Sequence, residues 1–177
     1  MTDTGVAALA VALQRNRAAF DAHEALVALV VRQMQRGGRT AFTGLGLRAA
    51  VPGTEGEGPR WVLAKPDVFS IRHTKVAAYL APAVHEIRVR RADLLGELRA
   101  TPRSLAKRGA YMAMGSECWY VLGRDAQGRE IGDASEVPAD FGVMQALPDA
   151  AGLPFATWLV LARSVPAAAE ADTQARL

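Results

Sequence analysis

Apolar residues recur at helical spacing along the first part of the chain, from Val6 to Arg36. Within this stretch the segment Asp21-Ala-His-Glu24 has the residue spacing of a capping box, which is typical of a helix start. The pattern therefore predicts a break near Asn16–Asp21 and a helix from Ala22 to Gln35. The pair Gly37-Gly38 follows this segment and is typical of a helix end.

Short apolar runs separated by turn residues come next, and they predict β-strands. The first would run from Arg39 to Val51. The second would run from Arg60 to about Ile71, interrupted or bent at Pro66, because proline has no N–H to donate within a sheet. The Gly-rich, polar segment from Pro52 to Pro59 would join them as an antiparallel pair. From Val84 to Val89, alternate residues form two sets, Val84, Glu86 and Arg88 on one face and His85, Ile87 and Val89 on the other, which is the two-residue period of a strand.

The second half of the chain combines helical and strand-like segments. Ala92 to Leu98 and Ser104 to Met114 have helical patterns, and Cys118 to Leu122 is a short apolar run expected to form a buried strand. Two further apolar segments run from Phe141 to Leu147 and from Thr157 to Ala162. The order of these elements predicts an α/β fold, in which a central mixed β-sheet is flanked by helices.

Length and composition fit one globular domain. The chain has 177 residues, half of them hydrophobic, and we expect a single domain over residues 1–163 with a disordered, Ala-rich tail over residues 164–177. One cysteine, Cys118, excludes an intramolecular disulfide and a cysteine-cluster zinc site, and its apolar neighbours predict a small core residue. The first residues do not resemble a secretory signal, and the apolar run Ala25 to Val31 is too short to span a bilayer. The sequence therefore predicts a cytoplasmic protein without a membrane segment.

The net charge is small, but the basic residues are unevenly placed. The chain has 21 Lys and Arg against 18 Asp and Glu, and the resulting charge of +3 by itself argues against a strongly basic nucleic-acid-binding protein. Between Glu86 and Arg108, however, seven basic residues stand against three acids, which gives this segment +4. Such a local excess can attract phosphate groups. The side chains predicted to contact DNA are Arg90, Arg91, Arg103, Lys107 and Arg108.

The candidate chemistry depends on two carboxylates and one cation. Asp67 follows Pro66 on one predicted strand, and Glu86 and Arg88 lie two residues apart on the next, so both project from the same face. If the two strands pair, these three side chains meet at one point of the sheet. Carboxylate oxygens are ligands that Mg²⁺ and Mn²⁺ accept. A metal there could polarise a phosphate and lower the pKa of a bound water, while the cation would stabilise developing negative charge.

Pro66-Asp67 followed by Glu86-x-Arg88 resembles the signature of the PD-(D/E)XK nuclease superfamily. The longer string from His85 to Leu95 resembles its MmcB-type DNA-repair and phage branch, in which a Glu-x-Lys strand runs into Ser-Arg-x-Asp-Phe/Leu and a helix. Three later segments match further features of that branch: Lys107-x-x-x-Tyr111, Cys118-Trp-Tyr-Val121 and Glu136-Val-Pro … Phe-Gly-Val143. The resemblance covers about residues 20–147.

This resemblance implies a restriction-endonuclease-like core with a metal site. Asp67 and Glu86 would be catalytic metal ligands, and the carbonyl of Ile87 would be a third ligand. Glu24 could be the glutamate that many of these nucleases bring to the metal from their N-terminal helix, although the capping box explains it without chemistry. Arg88 stands where the family has its catalytic Lys. An Arg is always charged and cannot act as a base, but it can clamp a phosphate through two N–H groups.

Other polar residues are weaker candidates. Lys107 and Tyr111 lie four residues apart on one helix face and could contact substrate, and the commoner alternative is a solvated cation over a half-buried ring. His23, His73 and His85 lack the mutual spacing of metal ligands. Strand parity places His85 on the face opposite the candidate carboxylate, which predicts a structural role.

The residues and the resemblance together predict a Mg²⁺- or Mn²⁺-dependent DNA phosphodiesterase, that is, a nuclease of DNA repair or of a mobile element. Two alternatives stay open at this point. The first is a DNA-binding module that keeps the nuclease fold and has lost catalysis through Arg88. The second is a protein-interaction or regulatory domain that uses a sheet edge or the apolar segment around Trp158. DNA is the predicted partner, and the sequence allows a homodimer.

Overall fold

The structure, a computed structural model, describes residues 3–53, 58–148 and 157–162. Its strands are β1 (Arg39–Thr43), β2 (Leu47–Val51), β3 (Arg60–Ala64), β4 (Val68–Arg72), β5 (Ala83–Arg88), β6 (Glu117–Leu122), β7 (Gly142–Leu147) and β8 (Thr157–Ala162). Its helices are α1 (Asp3–Arg36), α2 (Arg91–Leu98) and α3 (Pro102–Met114), with short 3₁₀ helices at Ala77–Tyr79 and Ala134–Glu136. The tail predicted to be disordered, residues 164–177, lies outside the described residues.

Six strands form the central sheet, in the order β1-β4-β5-β6-β7-β8. The strands β5, β6 and β7 run parallel, and the other neighbours in this sheet are antiparallel. One face packs against α1, and the other face packs against α3 together with the small antiparallel sheet β2–β3. The predicted fold class, an α/β fold with a central mixed sheet flanked by helices, is confirmed.

The N-terminal helix α1 is continuous over 34 residues, so the predicted break near Asn16–Asp21 is wrong. Asp21 does not cap a new helix. Its carboxylate lies 3.6 Å from the Arg17 guanidinium one turn earlier, and this i, i+4 ion pair favours a helix that continues. The three residues between them include neither glycine nor proline, so the backbone has no reason to leave the helix. Within the described residues, no helix is long and apolar enough to cross a membrane.

Each of the two long strands predicted before Ile71 is divided between two sheets, so the unbroken strand predicted from Arg39 to Val51 is wrong, whereas the predicted interruption at Pro66 is confirmed. The first is interrupted after β1 by Gly44, which has a positive φ of 66° and turns the chain away from the central sheet. The second is interrupted at Pro66, which separates β3 in the small sheet from β4 in the central sheet. The predicted antiparallel pairing across the Gly-rich turn holds for β2 and β3, while residues 54–57 of that turn lie outside the described residues.

Two layers of apolar side chains fill the spaces on either side of the central sheet. The layer under α1 contains Leu26 and Leu29 from the helix and Ile87 from β5. The layer under α3 contains Tyr111 from the helix and Val84 from β5. Because alternate residues of a strand point to opposite faces, β5 contributes to both layers. The same alternation places the side chain of Glu86 on the α3 side.

The packing of α1 predicts a difference between two leucines of the same helix. Leu26 is 0% exposed and Leu13 is 61% exposed. Leu26→Ala should lower the free energy of unfolding by about 2–5 kcal/mol, because it leaves a cavity in the core. Leu13→Ala is the matched control, with the same change in helix propensity, and should change the free energy of unfolding by less than about 0.5 kcal/mol. Urea denaturation measures both, and equal effects would contradict the described packing.

Candidate functional site

The antiparallel pairing of β4 with β5 brings the predicted site residues together. Asp67 immediately precedes β4, and the start of β4 lies beside the end of β5, with Val68 opposite His85. The Ile87 N–H donates a 2.7 Å hydrogen bond to Asp67 Oδ2, which fixes this carboxylate at the edge of β5. Asp67 therefore lies within reach of the side chains that follow Ile87 along the strand.

The guanidinium of Arg88 contacts all three groups that the resemblance implies as metal ligands. Its Nη1 lies 2.6 Å from the carbonyl oxygen of Ile87 and 3.5 Å from Asp67 Oδ2. Its Nη2 contacts the carboxylate of Glu86 and lies 3.0 Å from Glu97 Oε2. The three oxygen groups therefore all contact one guanidinium, the Ile87 carbonyl and Asp67 at Nη1 and Glu86 at Nη2, and in this structure that internal cation lies between them.

Arg88 is held in its charged form. Burial alone would lower the pKa of this guanidinium, and the carboxylates of Glu86, Glu97 and Asp67 outweigh burial, so that the pKa is raised overall. Arg88 therefore cannot accept and release a proton during a reaction, as the residue type already implied.

Glu86 is a buried carboxylate with three donors around it. Only 4% of its side chain is exposed. Besides Arg88, it is contacted by Lys107 Nζ at 2.7 Å, and its Oε2 lies 2.8 Å from the Tyr111 hydroxyl. That hydroxyl also lies 2.9 Å from the carbonyl oxygen of Lys65, and its single proton can be donated to one of the two at a time. Burial and the charge of Glu86 raise the pKa of Tyr111, so the phenol stays protonated as a donor.

Lys107 and Tyr111 both reach the site from α3, as their shared helix face allowed. Lys107 Nζ lies 5.3 Å from the centre of the Tyr111 ring, so the cation and the ring are in contact. The Tyr111 side chain is fully buried rather than half-buried, because it spans the core layer between α3 and β5. Glu86 is therefore positioned by side chains that come from β5 and from α3.

The structure adds a third carboxylate that the sequence motifs did not reveal. Glu97, on α2, lies 3.0 Å from Arg88 Nη2 and 3.0 Å from Lys107 Nζ. Burial alone would raise the pKa of Glu97, and its contacts with Lys107 and Arg88 lower it overall. The signal in the sequence was its position three residues after Leu94, since residues three apart share a helix face and Leu94 is fully buried.

His23 of α1 is a second site residue that sequence reasoning missed. Its Nε2 lies 3.3 Å from Asp67 Oδ1, and its Nδ1 lies 3.4 Å from Glu24 Oε1. The hydrogen bond with Asp67 is the main reason why the pKa of His23 is raised. Burial alone would raise the pKa of Asp67, and the contacts with His23 and with the Ile87 N–H outweigh it and lower that pKa overall. His23 precedes the buried Leu26 by three residues, which placed it on the inner face of α1.

Glu24 lies in the middle of α1, so its predicted role in a capping box is wrong. Its carboxylate contacts the ring of His23, and its side chain is 56% exposed. Glu24 is therefore connected to Asp67 only indirectly, through the ring of His23. Among the described residues it makes no hydrogen bond or ion pair with Asp67 or Glu86, the predicted metal ligands.

Two of the side chains predicted to contact DNA, Arg90 and Arg91, are paired with acids. The Arg91 guanidinium makes two contacts with the Glu136 carboxylate, at 2.5 and 2.6 Å. Arg90 lies 2.7 Å from Asp93 and 3.0 Å from the side-chain oxygen of Asn16. Neither arginine contacts the carboxylates of the site. To bind a phosphate with the same N–H groups, Arg90 would have to release Asp93 and Arg91 would have to release Glu136.

The other three predicted DNA contacts lie on α3. Lys107 is bound to Glu86 and Glu97, and Arg108 donates a 2.9 Å hydrogen bond to the carbonyl oxygen of Glu97. Arg103 is exposed and has no ion pair among the residues that the structure describes. Four basic residues of this segment, Arg88, Arg90, Arg91 and Lys107, therefore pair with acids, and only two of those acids, Asp67 and Glu136, lie outside the segment, which reduces its +4 to +2. Arg99, Arg103 and Arg108 have no ion pair among the described residues.

Two pockets share Val89 as a wall, directly after β5. A pocket of about 460 Å³ is lined by Arg88, His23 and Glu97 among others, and opens onto the site. A larger pocket of about 830 Å³ is lined by side chains that follow the ends of the parallel strands, including Arg90, Arg91 and Arg124. The carboxyl ends of parallel strands are the usual place for ligands in α/β folds. Both pockets therefore lie at the carboxyl end of β5, and the smaller one is lined by site residues.

His85 and Cys118 lie outside this network. Burial and the charge of Arg39 lower the pKa of His85 to about 4, so its ring is neutral near pH 7. Burial raises the pKa of Cys118 to about 12, which makes its thiol unreactive at neutral pH. Both residues fit the structural roles that were predicted for them.

The His23–Asp67 contact predicts a pH dependence. In metal-free buffer His23 should titrate above its ordinary value of 6.5, and Asp67→Asn should move it back towards that value. Because the pKa of His23 is raised in the folded state, its contribution to stability is present below about pH 6.5 and is lost as the pH rises through the folded pKa. The ring signals of His23 in an NMR titration measure this. Glu24→Gln is the control and should have the smaller effect. A pKa at or below 6.5 in the unaltered protein would contradict the described contact.

Comparison of the chain with protein-family models, curated proteins and solved structures found no match. The resemblance to the PD-(D/E)XK superfamily therefore stays a prediction based on the motif residues. In the structure, Asp67, Glu86 and the carbonyl of Ile87 all contact the guanidinium of Arg88.

Proposed function

We propose that this chain is a metal-dependent DNA phosphodiesterase of the PD-(D/E)XK type that acts in the cytoplasm, in DNA repair or in a mobile element. The observation that supports this function best is the convergence of Asp67, Glu86 and the Ile87 carbonyl on the single guanidinium of Arg88. For these groups to share one metal ion, Arg88 would have to move aside and the carboxylates would have to close around the smaller ion, since among the described residues no group of three or more Asp, Glu, His or Cys is already placed to hold a metal.

The donor set fits a hard divalent cation. Two carboxylates and a backbone carbonyl are oxygen ligands of the kind that Mg²⁺ and Mn²⁺ accept. Asp67, Glu86 and Ile87 would hold the ion, which when bound would polarise a phosphate oxygen and make a water more acidic. The three carboxylates, including Glu97, carry −3 against +2 from Arg88 and Lys107, and His23 adds a third positive charge when it is protonated. When His23 is neutral, the site can therefore accept an additional positive charge.

The other side chains of the network have roles that follow from their contacts. Lys107 and Tyr111 hold the carboxylate of Glu86 in one orientation, and His23 does the same for Asp67. Once released from the carboxylates, the planar fork of Arg88 can bind two oxygens of a phosphate. The side chain of Arg88 is 14% exposed and lines the 460 Å³ pocket, so it can turn towards a substrate there.

A second candidate function is supported by the position of Arg88. This guanidinium takes the place of the metal ion among the predicted ligands and is held in its charged form by Glu86, Glu97 and Asp67. A protein with a permanent cation there could bind DNA without metal and without cleavage. It would be a DNA-binding module that keeps the arrangement of a nuclease site.

Cleavage of single-stranded, duplex and branched DNA with Mg²⁺ or Mn²⁺ tests the proposal. Asp67→Asn and Glu86→Gln should each lower the rate by at least about 100-fold, since ligand loss should exceed the 10–100-fold effect of outer contacts. Glu117→Gln is the matched control and should leave the rate unchanged, because Glu117 is exposed at the opposite end of the β5–β6 pair. Cleavage that survives both site substitutions would refute the assignment.

Arg88→Lys separates the two candidate functions. If the protein is a nuclease, the unaltered protein cleaves DNA, and the cleavage rate of the lysine variant stays within about tenfold of its rate, because the positive charge is kept. If the protein is a non-catalytic module, it binds DNA with strong salt dependence without cleaving it, and the lysine variant gains metal-dependent cleavage. Arg88→Met, which removes the cation, is the control and should show no gain of cleavage. Cleavage and fluorescence anisotropy at several salt concentrations measure these outcomes.

A further inference from the structure

The two-stranded sheet β2–β3 has one buried face and one exposed face. Ala49, Val51 and Ala64 are buried beneath α3. On the other face Trp61 is 63% exposed and Leu63 is 57% exposed. A large aromatic and a large aliphatic side chain thus lie next to each other in solvent. We call this the outer face and define it by Arg48, Ala50, Trp61, Leu63 and Lys65.

The outer face carries two cations beside these apolar side chains. The strand register places Arg48 opposite Leu63 and Ala50 opposite Trp61, so these four side chains share the face. A methyl group built on Gly46 would lie 3.7 Å from Leu63 Cδ1 and 3.8 Å from Lys65 Cε, which places the Lys65 side chain beside Leu63. None of the five residues of the outer face is acidic, so its charge is +2.

The outer face is close to the candidate site along the chain and through hydrogen bonds. Lys65 ends the face, and Asp67 follows two residues later. The carbonyl oxygen of Lys65 lies 2.9 Å from the hydroxyl of Tyr111, which in turn lies 2.8 Å from Glu86. The end of the outer face at Lys65 is therefore connected to the candidate ligands Asp67 and Glu86.

We propose that the outer face binds unpaired nucleotides, with bases stacked on Trp61 and Leu63 and phosphates near Arg48 and Lys65. Exposed aromatic side chains bordered by cations are the general recognition chemistry of single strands, since every base has a π-face and every nucleotide a negative charge. A blunt duplex offers no free base to stack. Two copies of the outer face would repel each other, because each carries a charge of +2. The inference deepens the proposed function, on which it rests, because it names DNA with a single-stranded segment as the substrate.

Binding of single-stranded DNA by the full-length protein in EDTA tests this without cleavage. A labelled oligo(dT) of about 12 nucleotides and a blunt duplex of the same length serve as probes in fluorescence anisotropy. Trp61→Ala should weaken oligo(dT) binding at least about fivefold and change duplex binding less than twofold. Trp61→Phe keeps a ring and should keep most of the affinity. Tyr79→Ala is the matched control, because Tyr79 is an equally exposed aromatic residue, at 65%, outside the outer face.

Several results would overturn the inference. One is an affinity for oligo(dT) that is unchanged by Trp61→Ala or lowered equally by Tyr79→Ala. Another is a dimer, detected by light scattering, that Trp61→Ala dissociates, because the outer face would then join two copies. If the alanine variant fails to fold, Arg48→Gln replaces it and should reduce the salt slope of oligo(dT) binding by about one, and an unchanged slope would count against the proposal. Absence of cleavage by a protein that passes these binding tests would refute the nuclease and leave the outer face supported.

Discussion

The buried carboxylate of Glu86 is the group on which the site depends. Its side chain is 4% exposed in the middle of β5, and a lone charge there would be strongly unfavourable. Arg88, Lys107 and Tyr111 compensate it from β5 and from α3, so α3 must dock before the charge is satisfied. Replacing a buried ion pair by apolar residues is often neutral or stabilising, so stability alone gives no reason to keep this one. The proposed function would give such a reason, because it uses the Glu86 carboxylate as a metal ligand.

The same network changes what the charge distribution means. The segment from Glu86 to Arg108 carries +4 in the sequence, and in the fold two acids from outside it, Asp67 and Glu136, pair with Arg88 and Arg91 and reduce this to +2. With three carboxylates against Arg88 and Lys107, the site is negative when His23 is neutral and would then repel a phosphate. A phosphodiesterase built on it therefore needs a further positive charge near these groups, which is the electrostatic reason for a metal ion. Counting charges along a segment could not separate compensated cations from available ones.

Local rules predicted the parts of the structure that depend on neighbours in sequence. Strand alternation placed Glu86 and Arg88 on one face, and the strand pairing brought Asp67 to them. Long-range packing decided the rest. Glu97 and His23 reach the site because α2 and α1 dock beside β5, and the capping box at Asp21 was outweighed by a continuous helix. The sequence also did not show which sheet each strand joins. Pro66 indicated where a strand is interrupted, but neither Pro66 nor Gly44 indicates that the chain passes from one sheet to the other.

The change of sheet at Pro66 has a mechanical consequence. Three consecutive residues carry the chain from the outer face to the candidate ligand, from Lys65 through Pro66 to Asp67. Pro66 is buried and its φ is fixed by the ring, so this connection is short and stiff. Tyr111 fastens it from α3, since its hydroxyl lies between the carbonyl of Lys65 and the carboxylate of Glu86. A ligand that moved the hairpin β2–β3 would therefore change the position of Asp67. The small sheet is thus part of the site's support, even though Trp61 and Leu63 on its outer face are exposed.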